Sequence, residues 1–259
     1  MSEAEIDLVR RRLDADPDTN RWNDLRWVAR TGSTNADLVE LARSGATAPV
    51  VLVADHQTSG RGRLDRRWES PPGANLLVSV LLRPEGQPDR WGWVSAAVAV
   101  AAVDACHQLG VDVAVKWPND LHHDGAKVAG LLAEAVTTPS ALVVGLGVNV
   151  AWPAAADPEL GATSLRALGA AGDRFDLLGE LLPALDRRID ELARDQAGLV
   201  AAYRSRCSTL GERVRVDLVG GGEITGKAIT VDDRGALLVD TGGTTEVVTV
   251  GDVHHLRPA

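Results

Sequence analysis

Apolar and polar positions follow two different periods along this chain of 259 residues. Val50–Asp55 and Asn75–Arg83 read as strands, the second bounded by the Pro71-Pro72-Gly73 turn. Trp93–Leu109, rich in Ala and Val and stopped by Gly110, predicts a helix. Val111–Lys116 alternates as a strand, and His123-Asp124-Gly125 predicts a hairpin turn in which Asp-Gly supplies the positive φ angles. Lys127–Val136 and Ala141–Val150 are further β segments. Earlier in the chain, Ala36–Arg43 predicts a helix, with Thr34 and Asp37 fitting a capping box. The pattern is that of an α+β domain whose mixed sheet is partly antiparallel.

A long helical region follows, from Phe175 to about Cys207, in which Leu178, Leu182, Leu185, Ile189 and Leu192 mark one face. Pro183 is expected to kink or restart it. After Gly211 the character changes. Arg213–Leu218 alternates strictly, and Glu223–Val231, Gly235–Asp240 and Thr244–Val250 follow between Gly- and Asp-rich turns. That spacing predicts a small all-β barrel or meander. The expected division is an N-terminal extension at 1–24, a main domain at 25–210 and a β domain at 211–259.

Composition narrows the function classes. The formal net charge is -9, so no global footprint invites DNA or anionic membranes, and any phosphate contact must come from a local cation cluster. Residues 1–24 hold one short amphipathic helix and a polar stretch, too little for a helix-turn-helix module of about three helices. No apolar run reaches the roughly 20 residues of a membrane-spanning helix, and the N-terminus lacks a signal-peptide core. The two cysteines, Cys106 and Cys207, have no metal-ligand spacing and read as buried thiols of a cytoplasmic protein. The histidines likewise show no ligand spacing, and no nucleophile elbow is present.

Candidate chemistry lies in a few segments, each open to a plainer reading. Gln57-Thr58-Ser59-Gly60-Arg61-Gly62-Arg63 could fold its amides around an anion while Arg61 and Arg63 supply bidentate donors; alternatively it is a solvated basic loop. Arg66 and Arg67 extend the cluster. Lys116-Trp117-Pro118-Asn119-Asp120 ends a strand, where Asn119 and Asp120 either meet a ligand or cap a rigid turn. Lys127 opens an apolar strand and either reaches water or pairs with an anion; Gly130 beside it leaves room for a ligand. Ser33-Thr34-Asn35 forms a helix N-terminus that is a cap, a polar binding surface, or both. Gly145-Leu146-Gly147-Val148-Asn149 lacks the third glycine of a dinucleotide fingerprint. The P-loop spacing from Gly221 to Lys227 is rejected because Ala228 replaces the required hydroxyl.

Taken in order, Thr31–Asn35, Gln57–Trp68, Pro72–Leu76, Lys116–Leu121, Lys127–Gly130 and Gly145–Asn149 resemble the biotin–protein ligases. The resemblance covers nearly all of residues 25–150 and extends to the C-terminal β domain, which is similar to that family's SH3-like module. It implies a catalytic domain related to class II aminoacyl-tRNA synthetases. It also implies that biotin and MgATP give biotinyl-5′-AMP, and that a lysine of a biotin carboxyl carrier domain of an acyl-CoA carboxylase then displaces AMP. Ser33, Thr34, Asn35 and Gln57 would hold the biotin head group, with Gly130 alongside. Arg61, Gly62 and Arg63 would close over biotin and the adenylate. Lys127 would meet the biotin carboxyl and α-phosphate oxygens, and Trp68, Asn119 and Asn149 would place the nucleotide. Lys127 and Arg63 are the expected catalytic groups. Mg2+ is expected as the counter-ion of ATP, with its ligands open and no tightly bound metal.

One departure stands out: Asp65 occupies the place of the family's third loop glycine, and it is expected to face solvent or pair with Arg66 or Arg67. The rival readings are a lipoate–protein ligase, which shares the chemistry, a biotin-responsive transcription regulator, and a noncatalytic adaptor.

Overall fold

The computed structural model describes residues 3–14, 21–47, 49–64, 66–84, 91–153, 155, 157 and 159–256. A seven-stranded mixed sheet forms its centre. In spatial order it comprises β1 (Leu25–Val28), β2 (Val50–Ala54), β3 (Leu76–Leu82), β7 (Ser140–Val148), β6 (Ala126–Thr137), β5 (Asp120–His123) and β4 (Ala114–Lys116). β1 and β2 run parallel, and every other neighbouring pair is antiparallel. The predicted turn joins β5 to β6, with Asp124 at φ 48 and Gly125 at φ 83.

β2 and β3 are buried at every position because both faces are covered. On one face, Val51, Val53, Leu76, Val78, Val80 and Leu82 pack into the main core with α3 (Gly92–Gln108) and α4 (Arg174–Arg194). On the other, Val50, Leu52 and Leu81 join Leu38 and Ala42 of α2 (Thr34–Arg43). α3 is apolar nearly all round, since it lies between the sheet and α4. Each fully buried Val or Leu contributes roughly 1.5–3 kcal/mol, so this layer dominates stability.

Three expectations are corrected. The helix does not restart at Pro183 but runs on through it, because Leu181, Leu182, Ala184 and Leu185 are buried on both sides of it and their packing offsets one missing hydrogen bond. The break comes at Asp195, whose φ of -150 leaves helical space before α5 (Gln196–Arg206). The cap of α2 is Ser33, extended at φ -160, which accepts from the Ala36 amide. Asp37 instead accepts from Thr31 Oγ1 at 2.5 Å, which leaves Thr34 inside the helix for other partners. The β unit has a fifth strand: β8 (Arg213–Leu218), β9 (Glu223–Val231), β10 (Leu237–Asp240) and β11 (Thr245–Val248) form an antiparallel meander, and β12 (Gly251–His255) returns to pair with β8. Alternation is masked in β12 by Gly251, Asp252 and two histidines.

α1 (Glu3–Asp14) buries Ile6, Val9 and Leu13, and Arg12 pairs with Glu180 of α4. Of the polar stretch after it, residues 15–20 lie outside the described residues. The β unit is fastened to the main domain by indoles: Trp93 Nε1 of α3 donates to the Asp233 carbonyl at 2.7 Å, and Trp117 Nε1, just after β4, to that of Gly235 at 3.0 Å. No described helix is long and apolar enough to cross a membrane.

Candidate active site

The sheet's α2-facing side carries a cleft because small residues meet there in register. Ser79 of β3 lies opposite Gly145 of β7, which lies opposite Leu132 of β6; two residues along, Leu77, Gly147 and Gly130 form the next row. The glycines are required by close approach. A Cβ on Gly145 would stand 2.2 Å from Asn35 Oδ1, and one on Gly147 would stand 2.5 Å from the Trp68 indole. Asn35 and Trp68 therefore occupy space that any other residue would fill.

At one end of the cleft lies a buried polar cradle. Gln57 Oε1 accepts from the Thr34 amide at 2.8 Å and from its hydroxyl at 3.0 Å. Thr34 Oγ1 also lies 2.7 Å from Ser79 Oγ, which donates to Asn35 Oδ1 at 2.6 Å. Asn35 Nδ2 donates to the Leu132 carbonyl at 3.0 Å and to Glu134 Oε2 at 2.9 Å. Both of those partners are pure acceptors, so the orientation of the amide is fixed. With Gln57 Oε1 engaged, its Nε2 is the donor left for a bound group.

Farther along the strands the character turns ionic. Lys127 Nζ pairs with Asp120 Oδ1 at 2.8 Å and lies 5.6 Å from the centre of the Trp68 ring. Burial pushes the Asp120 carboxyl up, but His122 and Lys127 outweigh it and hold the group below the usual carboxylate value. Arg63 Nη1 donates to Asn119 Oδ1 at 3.0 Å, and Asn119 Nδ2 is anchored on the Leu131 carbonyl at 2.7 Å. Burial lowers the pKa of Arg63, against the attraction of Asp120 and Asp252, yet a guanidinium remains charged at neutral pH. Trp68 Nε1 is buried with no partner among the described residues.

The arginine loop closes over this cleft. Its backbone doubles back, with Gly62 N donating to the Arg66 carbonyl at 2.7 Å and Trp68 N to that of Gly60 at 3.0 Å. Three arginines tie it to three elements: Arg61 to Glu134 of β6, Arg63 to Asn119 before β5, and Arg66 to Asp252 of β12. Gly251 and Asp252 thus bring the C-terminal unit to the edge of the cleft. Asp65 lies outside the described residues.

Of the predicted site residues, Ser33, Thr34, Asn35, Gln57, Arg61, Gly62, Arg63, Trp68, Asn119, Lys127 and Gly130 all line the cleft. Asn149 does not. It is buried and donates to the carbonyls of Thr163 at 3.1 Å and Lys127 at 3.3 Å, so its amide braces the strand that carries Lys127. Ser79, Glu134 and Asp252 were not among the predicted residues. A lone Ser in the apolar run Leu76–Leu82 is the one signal that could have revealed the first of them.

A cleft with a hydrogen-bonding cradle at one end and paired cations at the other suits a ligand with a polar neutral head and an anionic tail. A family model described as the biotin/lipoate A/B protein ligase family matches residues 27–149, and one for the biotin protein ligase C-terminal domain matches 209–256. Fold and cleft together define a protein of the biotin/lipoate ligase class. The chain is 46% identical over 244 residues to the biotin–[acetyl-CoA-carboxylase] ligase of Mycobacterium tuberculosis, covering 91% of this chain and 90% of that protein. It is 30% identical over 230 residues to the bifunctional ligase/repressor BirA of Bacillus subtilis, covering 85% of this chain and 70% of the relative. The structure of the Aquifex aeolicus biotin protein ligase in complex with biotin and ATP superposes with a TM-score of 0.78 at 28% identity, covering 91% of this chain and 99% of that one. This chain belongs to the biotin–protein ligase family.

Proposed function

We propose that the protein activates biotin with ATP and transfers it to a lysine of the biotin carboxyl carrier domain of an acyl-CoA carboxylase. The observation that carries this reading is the order of groups along one cleft: the Thr34–Gln57–Asn35–Ser79 cradle first, then Lys127 paired with Asp120 beneath Trp68. The cradle suits a ureido ring, which offers one carbonyl acceptor and two N–H donors.

In the first half-reaction a biotin carboxylate oxygen attacks the α-phosphorus of ATP and pyrophosphate leaves. Lys127 and Arg63 stabilise the negative charge that builds on the carboxyl and phosphoryl oxygens. No protein nucleophile is needed, because the substrate brings its own, and positioning supplies much of the rate. In the second half-reaction the neutral amine of the carrier lysine attacks the acyl carbon, an amide bond forms and AMP leaves. The loop keeps water from the mixed anhydride meanwhile. Mg2+ comes as the counter-ion of ATP. Asp120, Asp252 and Glu134 each face a cation of the chain itself, which favours that assignment over a resident metal. Residues 25–210 form the catalytic unit after an extension at 1–24, and 211–259 form the SH3-like unit; the separate sheets support this division. A cytoplasmic location fits the two free, buried cysteines, Cys106 having its thiol pushed up to about 12 by burial.

The test is mass measurement of a carrier domain incubated with the protein, biotin and MgATP. A gain of one biotinyl group that requires ATP supports the reading. Modification with lipoate alone would move the assignment to the sister activity.

A further inference from the structure

Glu134 joins the cradle to the arginine loop through one carboxylate oxygen. Its Oε2 atom accepts from Asn35 Nδ2 at 2.9 Å and from Arg61 Nη2 at 2.7 Å. Asn35 belongs to the N-terminal turn of α2 and is buried, whereas Arg61 belongs to the loop and is exposed. Glu134 itself sits on β6, two residues beyond Leu132, whose carbonyl takes the other amide hydrogen of Asn35. Its side chain is about a quarter exposed, with 26% of its surface accessible. In a strand whose alternate residues Ala133 and Ala135 face solvent, a lone carboxylate turned inward across the sheet has a specific task.

We infer that Glu134 is the positioning residue that fastens the arginine loop to the head-group cradle and so retains biotin there, an assignment that rests on the ligase reading above. One oxygen serves both donors, so the fixed amide of Asn35 also fixes the acceptor on which Arg61 rests, and the loop is held over the cradle. Two hydrogen bonds to one charged acceptor are each stronger than neutral ones. Without the carboxylate, Arg61 loses its contact with the sheet, and Asn35 Nδ2 keeps only the Leu132 carbonyl as acceptor. Glu134 touches no reacting atom in this scheme. Its loss therefore weakens biotin retention and leaves the chemical step intact.

The experiment compares wild type, Glu134→Gln, Glu134→Ala, Arg61→Ala and the Arg61→Ala/Glu134→Ala double variant, with melting temperatures recorded for each. Initial rates of adenylate formation against biotin and against ATP are measured, together with the release rate of preformed biotinyl adenylate. Glu134→Ala should raise KM for biotin and the adenylate release rate by roughly tenfold or more, the equivalent of one lost charge-assisted bond. It should leave kcat and KM for ATP within about twofold, a split that general loosening of the fold would not give. Glu134→Gln, which keeps an acceptor oxygen without the charge, should fall between wild type and Glu134→Ala. The double variant should cost less than the product of the single effects. Wild-type-like biotin KM and adenylate release in Glu134→Ala, fully multiplicative effects in the double variant, or loss of kcat in step with the melting temperature would each overturn the assignment. If wild type itself formed no adenylate from biotin, the ligase reading would fail and take this inference with it.

Discussion

The cradle and the arginine loop build the same cleft by opposite means. The cradle is buried: Ser33, Thr34, Asn35 and Ser79 are at most 5% exposed and bond chiefly to one another, to Gln57 and to backbone. Their geometry is set by the sheet register and by glycines that no side chain can replace. The loop is held by ion pairs that reach water, with Arg61 and Arg66 exposed. An exposed pair such as Arg66–Asp252 is worth about 0–1 kcal/mol, so an anionic ligand competes with it on nearly equal terms. Recognition is thus assigned to the part that cannot move, and enclosure of a hydrolysable intermediate to the part that exchanges its partners cheaply.

The sharpest way to break this comparison is to remove the group between the two regions. Lys127→Ala should lower the rate of adenylate formation by roughly 10²–10³-fold, the usual effect of losing one charge-stabilising donor, as read by pyrophosphate release. Next in size is Gly145→Ala, whose Cβ would meet Asn35 Oδ1 at 2.2 Å. Biotin affinity measured by calorimetry should fall by about 10–100-fold, while ATP affinity changes little. Ser79→Ala leaves Asn35 Oδ1 without its donor in a buried position, which costs about 1–3 kcal/mol. Thermal unfolding should show it as a lower melting temperature. Asp252→Asn, by contrast, removes only the exposed pair with Arg66 and should change stability by less than about 1 kcal/mol. A loss as large as that of Ser79→Ala would mean that the loop is part of the rigid framework after all.

The smallest expected effect concerns pH and the attachment of the C-terminal unit. His255 lies 3.2 Å from the Thr209 hydroxyl, and burial, aided by Lys116, lowers its pKa from 6.5. The unfolded chain then binds the proton more readily than the folded one, so stability falls as pH drops below about 6.5. Urea titrations at several pH values should show a decline over that window that His255→Gln flattens. Asp120 acts with the same sign at lower pH. Its lowered carboxyl favours the folded state above the ordinary value of 3.8, and that contribution fades only as pH falls through the depressed value.

Much of the cleft was legible in the sequence because its chemistry leaves a compositional mark. Arginines set between glycines in an acidic chain, a Lys-Trp-Pro-Asn-Asp strand end and a lysine next to Gly130 are rare patterns with physical reasons. What stayed hidden depends on register. Glu134 is one carboxylate in the run Lys127–Val136 until β6 is laid beside β7 and the loop, and Ser79 is one hydroxyl in an apolar run. Asn149 shows the converse: a polar residue at a strand end can face a ligand or brace backbone, and here its amide braces the carbonyls of Lys127 and Thr163. Pro183 shows the same limit in the helices, where packing against α3 overrides a local breaker.

The central claim is that one cleft holds biotin at the cradle and carries its carboxylate to Lys127. Biotin-dependent exchange of labelled pyrophosphate into ATP tests it most directly, because it reports adenylate formation without any carrier. The account predicts exchange with biotin, none with lipoate, and at least a hundredfold loss in Lys127→Ala, on the scale of one charge-stabilising donor. Exchange that is equal with lipoate, or undiminished in Lys127→Ala, would contradict it.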